Sequence, residues 1–214
     1  MHTSIADLRR EYSAESLLEA DVAPDPIAQF QKWFDQALRS EIVEPNAMTV
    51  ATASTDGFPS ARTLLLKGFD ASGFVFFTNY KSFKAMQLEE NPKACLVFFW
   101  KELERQVRIT GLVQKVSPGE SDSYYQSRPS ASRIGAWASP QSQVIPGREW
   151  LDQQYQQLTE EYRDKDIQRP EHWGGYRVRP VIVEFWQGRP SRLHDRIQYS
   201  LDEGGAWKIE RLAP

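Results

Sequence analysis

The chain has 214 residues, 40% hydrophobic and 26% charged, with a formal net charge of −3. That balance provides for a full globular core and argues against a non-specific nucleic-acid binder, which is usually basic. Cys95 is the only cysteine, so no intramolecular disulfide can form, and His2, His172 and His194 show no metal-ligand spacing.

No stretch approaches the roughly 18 apolar residues of a membrane span. The opening "MHTSIADLRREYSAESLL" lacks the apolar core of a secretion signal, so a cytoplasmic protein is expected. Residues 1–20 read as a mobile arm, and residues 21–214 as a single domain. "PDPIAQFQKWFDQALRSEI" predicts a helix, with Asp25 as cap, Pro26 in the first turn, and an apolar stripe of Ile27, Phe30, Phe34, Ala37 and Leu38.

The region 47–117 reads as β. "AMTVATAS", "PSARTLLLKGF" and "FVFFTN" are strands separated by Asp-Gly and Ser-Gly turns, a hairpin pattern. A short helix, "KSFKAMQLEEN", stops at Pro92. "KACLVFFW" is a further strand in which Cys95 is expected to be buried. In "RQVRITGLVQKVS", Val107, Ile109, Gly111 and Val113 alternate with Arg108, Thr110 and Leu112. Residues 118–166 are helical, with breaks at Pro129, Pro140 and Pro146. Two final strands, "PVIVEFWQG" and "IQYSLDEGGAWKIERLAP", flank the loop "RPSRLHDR".

Short strands in series and helices in blocks predict a mainly β, α+β fold: a closed antiparallel barrel with peripheral helices. Neither a GxGxxG nor a GxxxxGK[ST] loop is present, so an anion would have to be held by side chains. Four segments offer them. Arg62 and Lys67 flank three leucines, and strand parity puts them on opposite faces unless the strand ends or bulges between them. "TNYKSFKAM" runs from strand to helix, with Thr78, Ser82 and Lys84 near a helix N-terminus; Ser82 also fits a plain N-cap. Tyr124, Arg128 and Ser132 recur every four residues, but Pro129 implies that two helices meet there, with Ser130 capping the second; an exposed basic turn fits equally. "WQGRPSRLHDR" brings His194 between Arg192 and Arg196, whose charges disfavour its protonation, beside Trp186. Amides at Gln106, Gln141 and Gln143 match a heteroaromatic edge of alternating donors and acceptors, as in a flavin.

The segments "LRREY", "RTLLLKGFD", "FFTNYKSFKA", "LERQVRITG", "SRPSASRIGAWASPQS", "EFWQG", "RLHDR" and "WKIERLAP" resemble the pyridoxine (pyridoxamine) 5′-phosphate oxidase family, in family order from about residue 8 to the end. The resemblance implies an FMN-binding split β-barrel homodimer with FMN at the interface and a C-terminal dimerisation region. It implies hydride transfer from C4′ of pyridoxamine or pyridoxine 5′-phosphate to the flavin, with O2 as acceptor. Arg62, Lys84 and Ser142 match FMN phosphate and ribityl contacts. Thr78, Gln106, Gln141, Trp186 and Arg196 match other flavin contacts, as does Phe77, and the backbone of Arg62, Thr63, Leu64, Leu65, Leu66 and Lys67 lies along the ring. Lys67, Tyr124, Arg128 and Ser132 match the substrate-phosphate group, and Arg192, Leu193 and His194 the residues beside the substrate ring, with Arg192 and His194 in catalytic roles. Arg9 and Tyr12 match residues that fold over the occupied site, and Glu44 falls where the family often has Asp. Arg189 has no counterpart and reads as a solvated charge; Asp195 is expected to pair locally. Phe83 departs from the pattern: it stands in "SFK" where the family usually has Arg.

Overall fold

Asp25 accepts hydrogen bonds from the backbone N–H groups of Ile27 and Ala28 at 2.8 and 3.0 Å. With Pro26 in the first turn, this starts helix α1 (Pro26–Arg39). The structure, a computed structural model, describes Ile5, residues 11–13 and residues 15–214. After α1 come β1 (Ala47–Ala53), β2 (Pro59–Leu65), β3 (Gly68–Asp70), β4 (Gly73–Asn79), α2 (Phe83–Glu90), β5 (Lys93–Trp100) and β6 (Arg105–Lys115). Helices α3 (Pro118–Ser127), α4 (Ser130–Ala138) and α5 (Arg148–Glu161) follow, then β7 (Trp173–Gln187), β8 (Asp195–Leu201) and β9 (Trp207–Arg211).

All strand pairings are antiparallel, in the order β2-β1-β5-β6-β7-β4-β3, with β8 and β9 continuing from β7. The expected barrel is therefore a curled sheet that no ladder closes. Its end strands, β2 and β3, are consecutive in sequence, and only Leu66 and Lys67 lie between them. Leu66 N–H still bonds Asn46 O at 2.8 Å, while Lys67 N–H already bonds Val75 O at 2.9 Å. Two residues thus join the sheet's two edges.

Strand β7 pairs with β6 from Tyr176 to Gln187, with β4 through its first half and with β8 through its second. It begins seven residues before Pro180, where the sequence reading starts it. A bulge opposite Thr110 and Gly111 explains how a proline sits inside this strand. Gly111 has no room for a side chain there: a Cβ would lie 2.2 Å from Arg179 O. The expected last strand is two, because Asp202–Gly205 turns it into a hairpin.

Helix α1 covers the barrel. Phe30 is fully buried, with ring centroids 4.9 Å from Phe69 and Phe74 and 5.1 Å from Phe98. Trp33 joins this face and Leu38 leaves it, correcting the expected stripe, since 3.6-residue periodicity turns position 38 outward. Along β6 the expected alternation holds: Val107, Ile109 and Val113 are buried, while Arg108 and Leu112 are exposed. A second cluster of Tyr125, Ile134, Ile167 and Trp173 lies under helices α3 to α5. Pro129, not Ser130, occupies the N-cap of α4, and Ser130 is its first helical residue. Cys95 is only partly buried. No helix among the described residues is long and apolar enough to cross a membrane.

Candidate active site

Two cations define one pole of the site. Arg62, on β2, donates to Thr52 Oγ1 at 2.8 Å, Ser60 Oγ at 2.6 Å and Val50 O at 3.1 Å. Lys84, in the first turn of α2, is 6% exposed and donates to Thr78 Oγ1 at 3.1 Å, Gln141 Oε1 at 3.0 Å and Ser82 Oγ at 3.3 Å. Every one of these acceptors is neutral. Among the described residues neither cation has a carboxylate within ion-pair distance. Burial, and then the charge of Arg62, pushes the Lys84 ammonium down to about 8. Two desolvated positive charges without a counter-ion make a site for a strong anion. Ser82 is the N-cap of α2, as expected, but its hydroxyl serves Lys84 instead of the helix.

Strand β2 ends the sheet order, so one edge of Arg62, Thr63, Leu64 and Leu65 is left without a strand partner. Because the strand ends at Leu65, Lys67 escapes strand parity and lies exposed in the link. Lys67, Phe77 and Tyr124 line one cavity; Arg128, Ser132, Gln141 and Trp173 line another. The rings of Tyr124 and Phe77 stack at 4.0 Å and join the two cavities through Trp173, which stacks on Phe77 at 5.5 Å. Arg128 lies at the junction of α3 and α4, 4.5 Å over the Trp173 ring, and its buried Nη1 has no hydrogen-bond partner among the described residues. A buried guanidinium N–H beside a cavity is a donor suited to an anionic acceptor.

A second pole lies at the far end of β7. Gln106, Trp186 and Arg196 are cross-strand neighbours on β6, β7 and β8. Trp186 lies 4.6 Å from the His194 ring and 5.7 Å from Tyr12, which is itself 5.9 Å from His194. Gly188 makes room for this trio, since a Cβ there would sit 2.7 Å from Tyr12 Cγ. The chain reaches His194 through Ser191 and Arg192, both at positive φ, 56° and 62°. Two consecutive left-handed non-glycine residues store backbone strain of about 1–3 kcal/mol each.

The three arginines of this loop divide. Arg196 forks onto buried Glu184 at 2.8 and 3.2 Å and donates to Ala213 O. Arg189 is not a free solvated charge: it reaches Asp195 at 3.4 Å and Glu15 O at 3.1 Å. Asp195 also pairs with Arg211 at 2.7 Å and accepts from Leu17 N–H. Arg192, exposed, has no carboxylate partner among the described residues. His194 lies below the usual imidazole value, through burial first and the charge of Arg192 second. Of the two flanking arginines expected to act on it, Arg192 does so, while Arg196 is turned to Glu184.

The two poles lie at different places on the sheet. Thr78 pairs with Gly174 and Gln106 with Trp186, twelve residues further along β7. Across the sheet, Arg62 is in register with Val50, Leu96 and Ile109, and Ile109 is three residues from Gln106. Ser142 is exposed with φ 70°, Leu193 is 70% exposed, and Glu44 turns the chain at φ 55°. Arg9 lies outside the described residues. Sequence reasoning overlooked Gln87 and Glu184, although each is a polar residue among buried positions: Gln87 follows Lys84 by three on α2, and Glu184 interrupts an apolar strand.

Residues 34–161 match the family model described as pyridoxamine 5′-phosphate oxidase, and residues 173–214 match the pyridoxine 5′-phosphate oxidase C-terminal dimerisation region. The pyridoxine/pyridoxamine 5′-phosphate oxidase of Nostoc sp. (strain PCC 7120) is 58% identical over 214 residues, covering both chains completely. That of Cupriavidus necator is also 58% identical, over 99% of this chain and all of its own. Among solved structures, PhzG from Burkholderia lata, in complex with tetrahydrophenazine-1-carboxylic acid, superposes with a TM-score of 0.88 at 30% identity, covering 94% of this chain and all of PhzG. An FMN-binding protein from Nostoc punctiforme related to pyridoxamine 5′-phosphate oxidase has the same fold, with a TM-score of 0.70 at 20% identity over 91% of this chain and 99% of its own. With its split-barrel architecture, its two matched regions and full-length relatives at this identity, the chain belongs to the pyridoxine/pyridoxamine 5′-phosphate oxidase family.

Proposed function

We propose that this protein is an FMN-dependent oxidase that converts pyridoxamine 5′-phosphate and pyridoxine 5′-phosphate to pyridoxal 5′-phosphate, and that it works as a homodimer. The observation that supports this best is the uncompensated pair Arg62 and Lys84, whose donors suit a phosphate dianion beside the free edge of β2. Bound FMN supplies the hydride acceptor, with dioxygen as the final oxidant and hydrogen peroxide as its product.

The residues have separate tasks. Arg62 and Lys84 hold the FMN phosphate, with Thr78, Gln141 and Ser142 beside it. The edge of β2 from Arg62 to Lys67 offers backbone donors and acceptors to the ring, and Phe77 lies next to it. Gln106, Trp186 and Arg196 form the opposite wall. The orphaned N–H of Arg128, with Lys67, Tyr124 and Ser132, takes the substrate phosphate. Arg9 and Tyr12 cover the substrate. Arg192 orients the substrate ring beside Leu193 and meets its developing charge. His194 acts as a neutral hydrogen-bond donor: Arg189 N–H occupies Nδ1 at 3.1 Å, which leaves the proton on Nε2. Trp186, Arg192, His194 and Arg196 fall in the stretch that matches the family's C-terminal dimerisation region, which favours a site shared between two chains. A two-fold partner brings the second pole to the first and forms two equal sites.

The test is purified protein supplied with pyridoxamine 5′-phosphate in air. Flavin absorbance, oxygen consumption and aldehyde formation are expected together. A chain that neither binds FMN nor forms aldehyde overturns the reading. Replacing Arg192 with Met is expected to lower kcat/KM by more than about threefold. The likeness to PhzG favours a second reading, a split-barrel flavoprotein acting on another ring; a yellow protein that leaves pyridoxamine 5′-phosphate untouched would select it.

A further inference from the structure

Gln87 lies on the buried side of α2, 3% exposed. Its Oε1 accepts from both Thr52 Oγ1 and Ser60 Oγ at 2.6 Å. Those are the two hydroxyls to which Arg62 donates, at 2.8 and 2.6 Å. The directions of these four bonds are determined. A guanidinium only donates, so both hydroxyl oxygens accept from Arg62, and each hydroxyl has a single proton left to give. One amide oxygen collects both protons. Phe58 O, an acceptor only, faces Nε2 at 3.4 Å and fixes which end of the amide points inward.

We infer that Gln87 is a positioning residue: it holds Arg62 in its anion-facing pose without neutralising it, and so sets a preference for phosphorylated over unphosphorylated flavin. This rests on the flavin reading above. A carboxylate at position 87 would accept the same two protons but would stand one hydroxyl away from Arg62 and cancel its charge. An apolar residue would leave the charge but release both hydroxyls to rotate, and Arg62 would keep only the backbone carbonyls of Val50 and Ser60 as fixed acceptors. The amide alone satisfies the hydroxyls and adds no charge.

The experiment titrates apoprotein with FMN and with riboflavin, following flavin fluorescence, for the parent, Gln87→Glu and Gln87→Met. The parent is expected to prefer FMN strongly. Gln87→Glu is expected to weaken FMN by more than about tenfold while riboflavin changes by less than about threefold, because only the phosphate meets the altered charge. Gln87→Met is expected to weaken FMN by about fivefold, again with riboflavin little changed. If Gln87→Glu does not fold, Gln87→Met decides alone. Equal losses for both flavins, or no loss of FMN affinity in either variant, overturn the inference. A parent without preference for FMN overturns the flavin reading itself.

Discussion

The backbone N–H of Arg189 donates to Nδ1 of His194 at 3.1 Å. A protonated imidazole would place a second N–H against that donor, so this contact, the burial and the charge of Arg192 all favour the neutral ring. His194 is thus held below its ordinary value of 6.5. The acid limb of kcat/KM that belongs to it is expected below that pH, and His194→Asn should remove the limb and cost about tenfold in kcat/KM. A limb that stays in place in the variant assigns it to another group. Stability follows the same sign. Just below pH 6.5 the unfolded chain takes the proton and the folded chain does not, so this histidine lowers stability as pH falls through that window.

Lys84 gives a second pH signature. With its ammonium pushed down to about 8, Lys84 titrates in the apoprotein in the range around pH 8. A phosphate dianion beside it restores the charge. Binding of FMN at pH 8 is therefore expected to take up protons, by an amount that rises with pH through this range, measured by calorimetry in buffers of different ionisation enthalpy. Lys84→Met should abolish the uptake; an unchanged uptake would place the proton elsewhere.

Glu184 is 2% exposed and serves two arginines, Arg196 and Arg108. Removing one partner of a fully buried pair costs about 3–5 kcal/mol. Here Arg196 and Arg108 keep 26% and 47% of their side-chain exposure and can turn to water. A smaller loss, about 1–3 kcal/mol, is expected for Glu184→Gln in denaturant unfolding.

Phe83 is half-exposed at the first position of α2, next to Lys84. Arg in its place would add a third cation to the phosphate pole. A charge-assisted bond is worth about 1.5–3 kcal/mol, so Phe83→Arg is expected to tighten FMN binding by about tenfold or more. An unchanged dissociation constant would show that the pole is already complete with two cations.

Much of the architecture was legible because local chemistry agrees with the global arrangement. Asp25 and Pro26 begin a helix by themselves, and the alternation from Val107 to Val113 records which face of β6 is buried. The sequence starts a strand at Pro180, whereas the bulge that admits this proline inside β7 depends on a strand about seventy residues away. The same limit held at the site. The cations were visible as residue types, but which of them keep a free charge depends on distant carboxylates. Among the described residues Arg196 pairs with Glu184 and Arg189 with Asp195, while Arg62 and Lys84 meet only neutral acceptors. Gln87 escaped notice because its importance lies in two hydroxyls on other strands.

The long reach of β7 also shapes how the chain is made. Strand β4, "GFVFFTN", finds its ladder partner about a hundred residues later, with Val75 opposite Arg177. At a synthesis rate of about 5–20 residues per second, this apolar edge waits roughly 5–20 s on the ribosome with only the three-residue β3 beside it. Until residues 173–187 emerge, the nascent chain presents an open template for pairing with other chains. Slower translation before Trp173 would prolong that exposure, and its yield in the cell should depend on chaperone capacity more than its finished stability suggests.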